Sequence, residues 1–387
     1  MRTCDLPQPN SILIDRRPKA GFDLARALTT TARQTGRSPA RIGIDLVSRM
    51  LGKQRLGMDE YFVQGAWKGE PEARAAFVGG QANLRLNRSL IAEGADDQTQ
   101  LMADKYLSGL VLQASGFPVP ELKAVFAAQV LFGATPTLRS AEELAHWLEE
   151  GGGLPAFAKP VDGSMALGSV PLVAAGPGQI DIGSRVVETA ALAREVARLY
   201  PRGWLIQEQL RQPAEIEALI GPGIGTVRLV TLWEEAGPQV LYSVWRHPAP
   251  GTWVDAAIFG KPNVGCALDA EGQVTAALLG DLYSGRELTH SLVNPDLPLV
   301  GYRLPHWREL VEIGCTAHRL FPGHALIGWD IAITGRGPVI SEVNANPLHM
   351  SYQRSYRRGF LHPEHVARMD IARRLLRARC KGGKLKG

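Results

Sequence analysis

The spacing of apolar residues changes near residue 116 and divides the chain into a helical part and a mixed part. Between residues 40 and 115, Ile42, Leu46 and Met50 recur at the spacing of an amphipathic helix, and a second run of this kind includes Met102. The segment 116–120, with two prolines after a glycine, ends the last of these helices. We therefore predict helices over residues 40–115.

After residue 120, short apolar runs alternate with helical patterns. The runs predict strands over 122–127, 157–160 and 204–210, and a helix over 188–200. Ser140, followed three residues later by Glu143, has the spacing of a capping box and predicts a helix to about residue 150. These elements indicate one compact lobe of helices and strands.

The second half of the chain is richer in hairpins. Strands are predicted over 226–233 and 240–245, with a further turn at 269–272, a helix from 305 to about 320, and a last hairpin over 326–334 and 339–344. A basic helix from about residue 363 closes the chain. The whole pattern predicts an α+β protein.

Composition places the positive charge at the C-terminus. The chain has 387 residues, with 43 Lys and Arg against 38 Asp and Glu. From residue 368 onward there are eight basic residues and one acid, so the body is close to neutral. Such a run is most often a solvated face, with anionic lipid or nucleic acid as alternatives, but no aromatic residues interleave with it to favour nucleic acid.

Cysteine usage and hydropathy exclude several classes of protein. The four cysteines lie far apart without a C-x-x-C pair, so neither a disulfide framework nor a zinc site is indicated. No apolar run reaches the length of a membrane span or of a signal peptide. We expect a soluble, cytoplasmic protein without stable membrane insertion.

The last predicted hairpin contains two acidic residues that pair with each other. A three-residue turn over 335–337, centred on Arg336, fixes which residues of the two strands face one another. It pairs Thr334 with Pro338, Ala332 with Ile340, and Asp330 with Glu342.

Two opposed carboxylates favour a cation between them, because like charges directly opposite in a sheet are destabilising. Strand periodicity places Asn344 on the same side as Glu342. Carboxylate and amide oxygens suit Mg²⁺ shared with phosphate oxygens. A solvated hairpin face that never meets a metal is an equally weighted alternative.

A lysine followed by a loop of small residues lies in the first lobe. Lys159 ends a predicted strand, and the segment 162–169 contains Gly163, Ser164 and Gly168. The glycines permit close backbone approach, so the loop is suited to cover a polyphosphate that Lys159 neutralises. The lysine precedes the glycines, which excludes a Walker A loop, and an ordinary hairpin turn is the alternative interpretation.

Two further segments complete the candidate site. Gln207, Glu208, Gln209 and Leu210 end a strand at a place suited to connect two lobes, where backbone groups can read an adenine edge. Arg228 lies on an apolar-patterned strand, where a salt bridge at the rim is the more frequent role of an arginine.

Taken in order, these residues resemble the ATP-grasp superfamily. The order is Asp104-Lys105, Lys159 with its loop, the hinge 207–210, and Asp330 with the segment 341–347. More narrowly, the segments 226–228, 328–334 and 342–344 look like the sugar-transfer-associated ATP-grasp family. The resemblance covers about residues 98–350, and the segment 56–62 is similar to the helical lead-in of that family.

The resemblance implies a role for each candidate residue. Lys105 and Lys159 would hold the α- and β-phosphates of ATP, and the loop from Gly163 through Ser164 to Gly168 would close over them. Arg228 would face the γ-phosphate or an acyl phosphate. The remaining roles are adenine binding by Gln207, Glu208, Gln209 and Leu210, ribose binding by Glu215, and Mg²⁺ binding by Asp330, Glu342 and Asn344.

The implied architecture is two α+β lobes clasping ATP. The expected divisions are a helical N-terminal region 1–97, a small lobe 98–207, a large lobe 208–362 and a basic C-terminal helix and tail 363–387. The sequence leaves the contacts of Arg246, Asn263 and Gln353 open. For Arg246 and Gln353, binding of the acceptor and a structural role are equally weighted.

The implied activity is ATP- and Mg²⁺-dependent ligation of a small-molecule carboxylate to an amine through an acyl phosphate, in secondary-metabolite or cell-surface polysaccharide biosynthesis. A phosphotransferase and a non-catalytic ATP-binding regulatory module remain as alternatives. No nucleic-acid partner is expected, and a homodimer is left open.

Overall fold

The computed structural model describes residues 11–13, 22–129, 135–151, 153–163, 166–251, 263–280 and 285–382. Within them, an N-terminal group of helices precedes two seven-stranded sheets. The expected α+β class is confirmed. No helix of the described part has the length and apolar content needed to cross a membrane.

The N-terminal unit is built from short amphipathic helices. Tyr61, Phe62 and Trp67 form its centre with the buried faces of the first two helices. Its helices are α1 (Leu24–Thr35), α2 (Pro39–Leu51), α3 (Met58–Val63), α4 (Pro71–Ala75) and α5 (Gly80–Arg88). Helices α6 (Asp96–Ala103) and α7 (Lys105–Ala114) follow, and they pack against the lobes: Met102 and Leu112 lie in the core of the second sheet, and Tyr106 packs against the first.

The first sheet and two helices form a small lobe, residues 122–208. Its strands are β1 (Leu122–Phe126), β2 (Thr137–Leu138), β3 (Ala156–Pro160), β4 (Val170–Gly176), β5 (Gln179–Asp181), β6 (Val186–Glu188) and β7 (Trp204–Glu208), in the order β2-β1-β7-β3-β4-β5-β6. Helices α8 (Ala141–Glu150) and α9 (Thr189–Leu199) supply Leu144 and Leu192 to a core around Trp204. Ser140 caps α8 as its sequence predicts.

The second sheet forms a large lobe, residues 214–382. Its strands are β8 (Thr226–Glu234), β9 (Gly237–Pro248), β10 (Asn263–Leu268), β11 (Val274–Leu279), β12 (Arg286–Leu288), β13 (Leu326–Thr334) and β14 (Gly337–Asn344), in the order β12-β11-β10-β9-β8-β13-β14. The helices are α10 (Ala214–Ile220), α11 (Trp307–Ala317), α12 (Met350–Ser355) and α13 (Pro363–Gly382). Trp245, Trp329 and Ile331 lie in its core.

The hairpin of β13 and β14 has a different turn from the predicted one. Thr334 pairs with Gly337, so the turn has two residues, and Ile331 rather than Ala332 pairs with Ile340. The pairing of Thr334 with Pro338 is therefore also wrong. An irregularity at Ser341 adds one residue to β14 and restores the opposition of Asp330 and Glu342. The prediction for the two acids is confirmed because the shorter turn and the bulge offset each other.

The N-terminal unit packs against the segment that follows β14. The side-chain amides of Asn83 and Asn87, both buried on α5, donate to the carbonyl of Pro347 at 3.1 and 2.8 Å. Asn87 also contacts the Nε2 atom of His349 at 3.0 Å. These buried bonds fix the chain directly after Asn344, at the end of the strand that carries Glu342.

Candidate active site

The centre of the candidate site is a carboxylate held by two arginines. Arg228 on β8 donates from Nε and Nη2 to the two oxygens of Asp330 at 2.6 and 3.0 Å. Arg246, on the neighbouring strand β9, lies 3.0 Å from Oδ1 of the same carboxylate and donates to the hydroxyl of Thr226 at 3.1 Å. Sheet order explains the cluster, because β13, β8 and β9 are adjacent and Asp330 pairs with Arg228 in register.

The two guanidinium groups determine the charge state of Asp330. Burial raises the pKa of its carboxyl, but Arg228 and Arg246 outweigh that effect and lower the pKa to about 2. Asp330 is therefore a carboxylate throughout the neutral range. Its low pKa makes it a poor general base, since an effective base has a pKa near the operating pH.

Two lysines from the small-lobe side approach the opposite strand of the hairpin. Lys105 lies at the start of α7, after the N-cap Asp104, and its backbone N–H donates to the carbonyl of Val161 at 3.0 Å. Its ammonium donates to the carbonyl of Gly163 and lies 3.8 Å from Oε1 of Glu342. The ammonium of Lys159 on β3 donates to the carbonyl of Ser341 at 3.0 Å.

Lys159 has an altered proton affinity. Burial lowers its pKa from 10.5 to about 8, with Lys105 acting in the same direction and Glu342 opposing. A lysine with this pKa is charged at neutral pH. A bound anion would stabilise the charged form, because it would replace the solvation that burial removes.

The cluster carries an excess of positive charge. Four cationic side chains surround two carboxylates; the cations are Lys105, Lys159, Arg228 and Arg246, and the carboxylates are Asp330 and Glu342. This arrangement favours a polyanion, because a bound anion would neutralise cations that are partly removed from water.

The expected Mg²⁺ ligands have suitable chemistry. Asp330 accepts two bonds at Oδ1 and one at Oδ2, which leaves Oδ2 with further acceptor capacity. Glu342 is one-third exposed, which leaves its carboxylate accessible to a ligand. Carboxylate and amide oxygens in this set fit a hard divalent cation.

The end of β7 reaches the turn between β13 and β14. Glu208, at the end of β7, accepts two bonds from the guanidinium of Arg336 in the β13–β14 turn and one from the backbone of Glu121. Within the described residues, Gln209 and Leu210 have no hydrogen bond to their backbone groups. Gln207 is buried on β7 and lines a narrow cleft with Lys105 and Glu342.

Three further residues were predicted to contact the nucleotide: Ser164, Gly168 and Glu215. Ser164 lies outside the described residues. Gly168 has φ of +74°, and a Cβ there would meet the Tyr200 hydroxyl at 2.1 Å, so its glycine has a packing reason. Glu215 is exposed on α10 and makes no contact with the charged cluster that the described residues show.

The structure shows the contacts of the three residues for which the sequence left them open. Arg246 belongs to the site, as described above. Gln353 is fully buried and bonds to the backbone of Val78 and Phe360, which is a structural role. Asn263 pairs with Pro248 at the start of β10.

Sequence reasoning missed Ser341. Its hydroxyl donates to the backbone carbonyl of Asp330 at 2.9 Å, and its own carbonyl accepts from Lys159. The side chain thereby stabilises the bulge that sets Glu342 opposite Asp330. A serine directly before the acid of the last strand was the available signal.

Residues 86–368 match the model of a family described as sugar-transfer associated ATP-grasp. No curated protein sequence matches the chain.

Solved structures show more distant similarities. The D-alanine-D-alanine ligase from Coxiella burnetii has 14% identity and a TM-score of 0.40, over 73% of this chain and 59% of that chain. The D-alanine-D-alanine ligase from Bacillus anthracis has 11% identity and a TM-score of 0.39, over 72% and 70%. The VanG D-Ala:D-Ser ligase from Enterococcus faecalis has 16% identity and a TM-score of 0.39, over 72% and 60%. The chain thus spans less than two thirds of the first and third of these structures.

Proposed function

Because the chain belongs to the sugar-transfer associated ATP-grasp family, we propose that it is an ATP- and Mg²⁺-dependent ligase that joins a small-molecule carboxylate to an amine. The family membership establishes the ATP-grasp fold expected from the sequence. The observation that carries the proposed activity is the cluster of four cations around Asp330 and Glu342. Secondary-metabolite or cell-surface polysaccharide biosynthesis is the proposed setting.

In this proposal, Lys105 and Lys159 bind the α- and β-phosphates of ATP. Their ammonium groups come from α7 and β3 and meet at successive residues of β14. The segment from Gly163 to Gly168 covers the phosphates, and the backbone groups of Gln209 and Leu210 bind the adenine edge. Glu215, exposed on α10, binds the ribose.

Arg228 and Arg246 face the transferred phosphoryl group. The substrate carboxylate attacks the γ-phosphorus of ATP, the bond to the β,γ-bridging oxygen breaks, and ADP leaves. The amine then attacks the acyl carbon, phosphate leaves, and the amine loses a proton. The two guanidinium groups stabilise negative charge that develops during both steps, which is the main catalytic requirement of phosphoryl transfer.

Asp330, Glu342 and Asn344 would hold Mg²⁺ in this site. When bound, the ion would neutralise phosphate oxygens and shield the two carboxylates from the incoming polyanion. Asp330 also holds Arg228 and Arg246 in place through three short contacts.

The same residues are the basis for preferring ligation to phosphotransfer to an alcohol. An alcohol acceptor requires a base to remove its proton, whereas a carboxylate attacks without one. The most central carboxylate of the site, Asp330, has a pKa of about 2 and is engaged by two arginines, so it is unsuited to that task.

We further propose that the functional divisions are 1–97, 98–207, 208–362 and 363–387. Two observations support the boundary between the second and the third of these. The sheet of the small lobe ends with β7 at Glu208, and the large-lobe sheet begins with β8 at Thr226.

A substrate screen with separate detection of ADP and phosphate tests the function. Mixtures of carboxylates and amines should yield both products with ATP and Mg²⁺, and Glu342→Gln should abolish that yield. Glu271→Gln, which changes an exposed turn residue, is the matched control and should remain active. Equal turnover by the Glu342→Gln variant would contradict the proposal, and nucleotide binding without turnover in every mixture would favour the regulatory alternative.

A further inference from the structure

The N-terminal unit has an exposed apolar stripe on α2. Ile44, Val47 and Leu51 are 71%, 51% and 72% exposed, although they are large aliphatic residues. The spacing of three and four residues places them along one side of the helix, about 10 Å from first to last. The opposite side of α2 packs into the unit through Ile42 and Leu46, so the stripe is not the buried face of this helix.

Cationic side chains surround this stripe. Leu51 lines a surface depression together with Lys53, Arg55 and Arg85, so the end of α2 and the middle of α5 adjoin. Leu84, beside Arg85, is 50% exposed and extends the apolar area. The two helices carry two more exposed arginines. Arg41 lies on α2, three residues before Ile44, and Arg88 lies on α5, one turn after Arg85.

The positive charge of this surface is uncompensated within the described chain. Lys53, Arg55 and Arg85 make no ion pair with any described residue. The acid of α2, Asp45, is already surrounded by three arginines at 3.3 to 3.6 Å, which are Arg37, Arg49 and Arg74. The charge of Asp45 is thereby neutralised by other arginines.

The basic surface continues onto the C-terminal helix. Arg373 of α13 donates to the hydroxyl of Ser89 at 3.1 Å, and Ser89 directly follows α5. Arg374 and Arg377, which follow Arg373 on the same helix, are exposed. The basic run near the C-terminus therefore adjoins the end of α5 that carries Arg88.

We propose that α2, α5 and the exposed arginines of α13 form a docking surface for an anionic lipid bilayer. This combination of side chains suits a membrane surface. The aliphatic side chains can enter the acyl region, and the long cationic side chains around them can contact the lipid phosphate groups. The exposed apolar residues of the stripe are all aliphatic and offer no directional hydrogen bonds to a protein partner. The proposed function uses none of the residues of this surface, so lipid binding is separable from turnover.

Vesicle co-sedimentation of the full chain tests this inference. The protein should sediment with vesicles that contain phosphatidylglycerol and remain in solution with vesicles of phosphatidylcholine alone. Binding should weaken as salt is raised, since charges at an exposed surface are screened. Each basic residue near an anionic membrane contributes about fivefold in affinity, so the charge reversal Arg85→Glu should weaken binding about 25-fold. Leu51→Ser should weaken it by about tenfold.

Two matched variants distinguish this surface from general charge and hydrophobicity. Arg308→Glu changes an exposed arginine of α11, and Val186→Ser changes an exposed valine of β6; both should bind as the unaltered chain does. Sedimentation with both kinds of vesicle alike, or with neither, would overturn the inference. It would also be overturned if light scattering showed a dimer that Leu51→Ser dissociates, because the stripe would then be covered by a second copy.

Discussion

The proton affinity of Lys159 makes nucleotide binding sensitive to pH in a predictable direction. Its pKa is lowered from 10.5 to about 8 without nucleotide, so the ammonium loses its charge as the pH rises through 8. ATP binds the charged form in the proposed site and would raise the pKa of this group. We therefore expect the affinity for ATP to be nearly constant below that pKa and to fall above it.

The size of the effect follows from the protonated fraction. At one pH unit above the pKa about one-tenth of Lys159 is charged, so the dissociation constant for ATP should rise about tenfold between about pH 7 and about pH 9. The other groups with resolved shifts do not titrate in this window near the phosphates. The pKa of His349 and His247 is lowered by burial, and that of Tyr242 and Cys266 is raised by burial.

Calorimetric titration with ATP and Mg²⁺ at a series of pH values provides the measurement. Lys159→Arg is the informative variant, because a guanidinium stays charged throughout and should make the affinity independent of pH between about 7 and about 9. Lys123→Arg, on β1, is the matched control and should retain the dependence of the unaltered chain. An unaltered chain whose affinity stays flat well above the pKa of Lys159 would refute the role given to this lysine.

Three further predictions concern the contacts around the site. Asp330→Ala should lower the free energy of unfolding by about 3 kcal/mol as well as abolish turnover, because it leaves two guanidinium groups buried without their carboxylate; unchanged thermal stability would contradict this. Asn87→Ala should cost about 2 kcal/mol in chemical denaturation, since the buried carbonyl of Pro347 loses one of its two donors and the buried Nε2 atom of His349 loses its partner, and a denaturation midpoint equal to that of the unaltered chain would count against it. Arg336→Ala and Glu208→Ala should couple by at most about 1 kcal/mol in a double-mutant cycle, as expected of an exposed ion pair, and a larger coupling would show that the contact is more than a surface pair.

The β13–β14 hairpin shows what sequence periodicity can and cannot predict. The opposition of Asp330 and Glu342 follows from the alternation of the two strands and the approximate position of the turn. The bulge at Ser341 could not be read from spacing, because it depends on a hydroxyl that bonds across the hairpin and on a lysine from another sheet. The shorter turn and the bulge each shift the register by one residue, in opposite directions. The alternation of apolar and polar residues therefore does not distinguish this hairpin from one with a three-residue turn and no bulge.

The contact of Arg246 with Asp330 could not be predicted without the order of the strands in the sheet. Its strand is distant from β13 in the sequence, and β8 lies between the two in the sheet. An arginine two strands away reaches Asp330 because its side chain is long and because burial favours a second cation beside the carboxylate. By contrast, Lys105 and Asp104 were singled out through the resemblance to the ATP-grasp superfamily, and the structure shows that Asp104 is the N-cap of the helix that begins at Lys105.

Trapping with hydroxylamine tests the central claim most directly. The chain, supplied with ATP, Mg²⁺ and the carboxylate identified in the screen, should form a hydroxamate in amounts equal to the ADP released, since hydroxylamine intercepts an acyl phosphate. Glu342→Gln should form neither product. A stable phosphorylated product, with ADP released and neither hydroxamate nor free phosphate formed, would contradict ligation and assign the site to phosphotransfer.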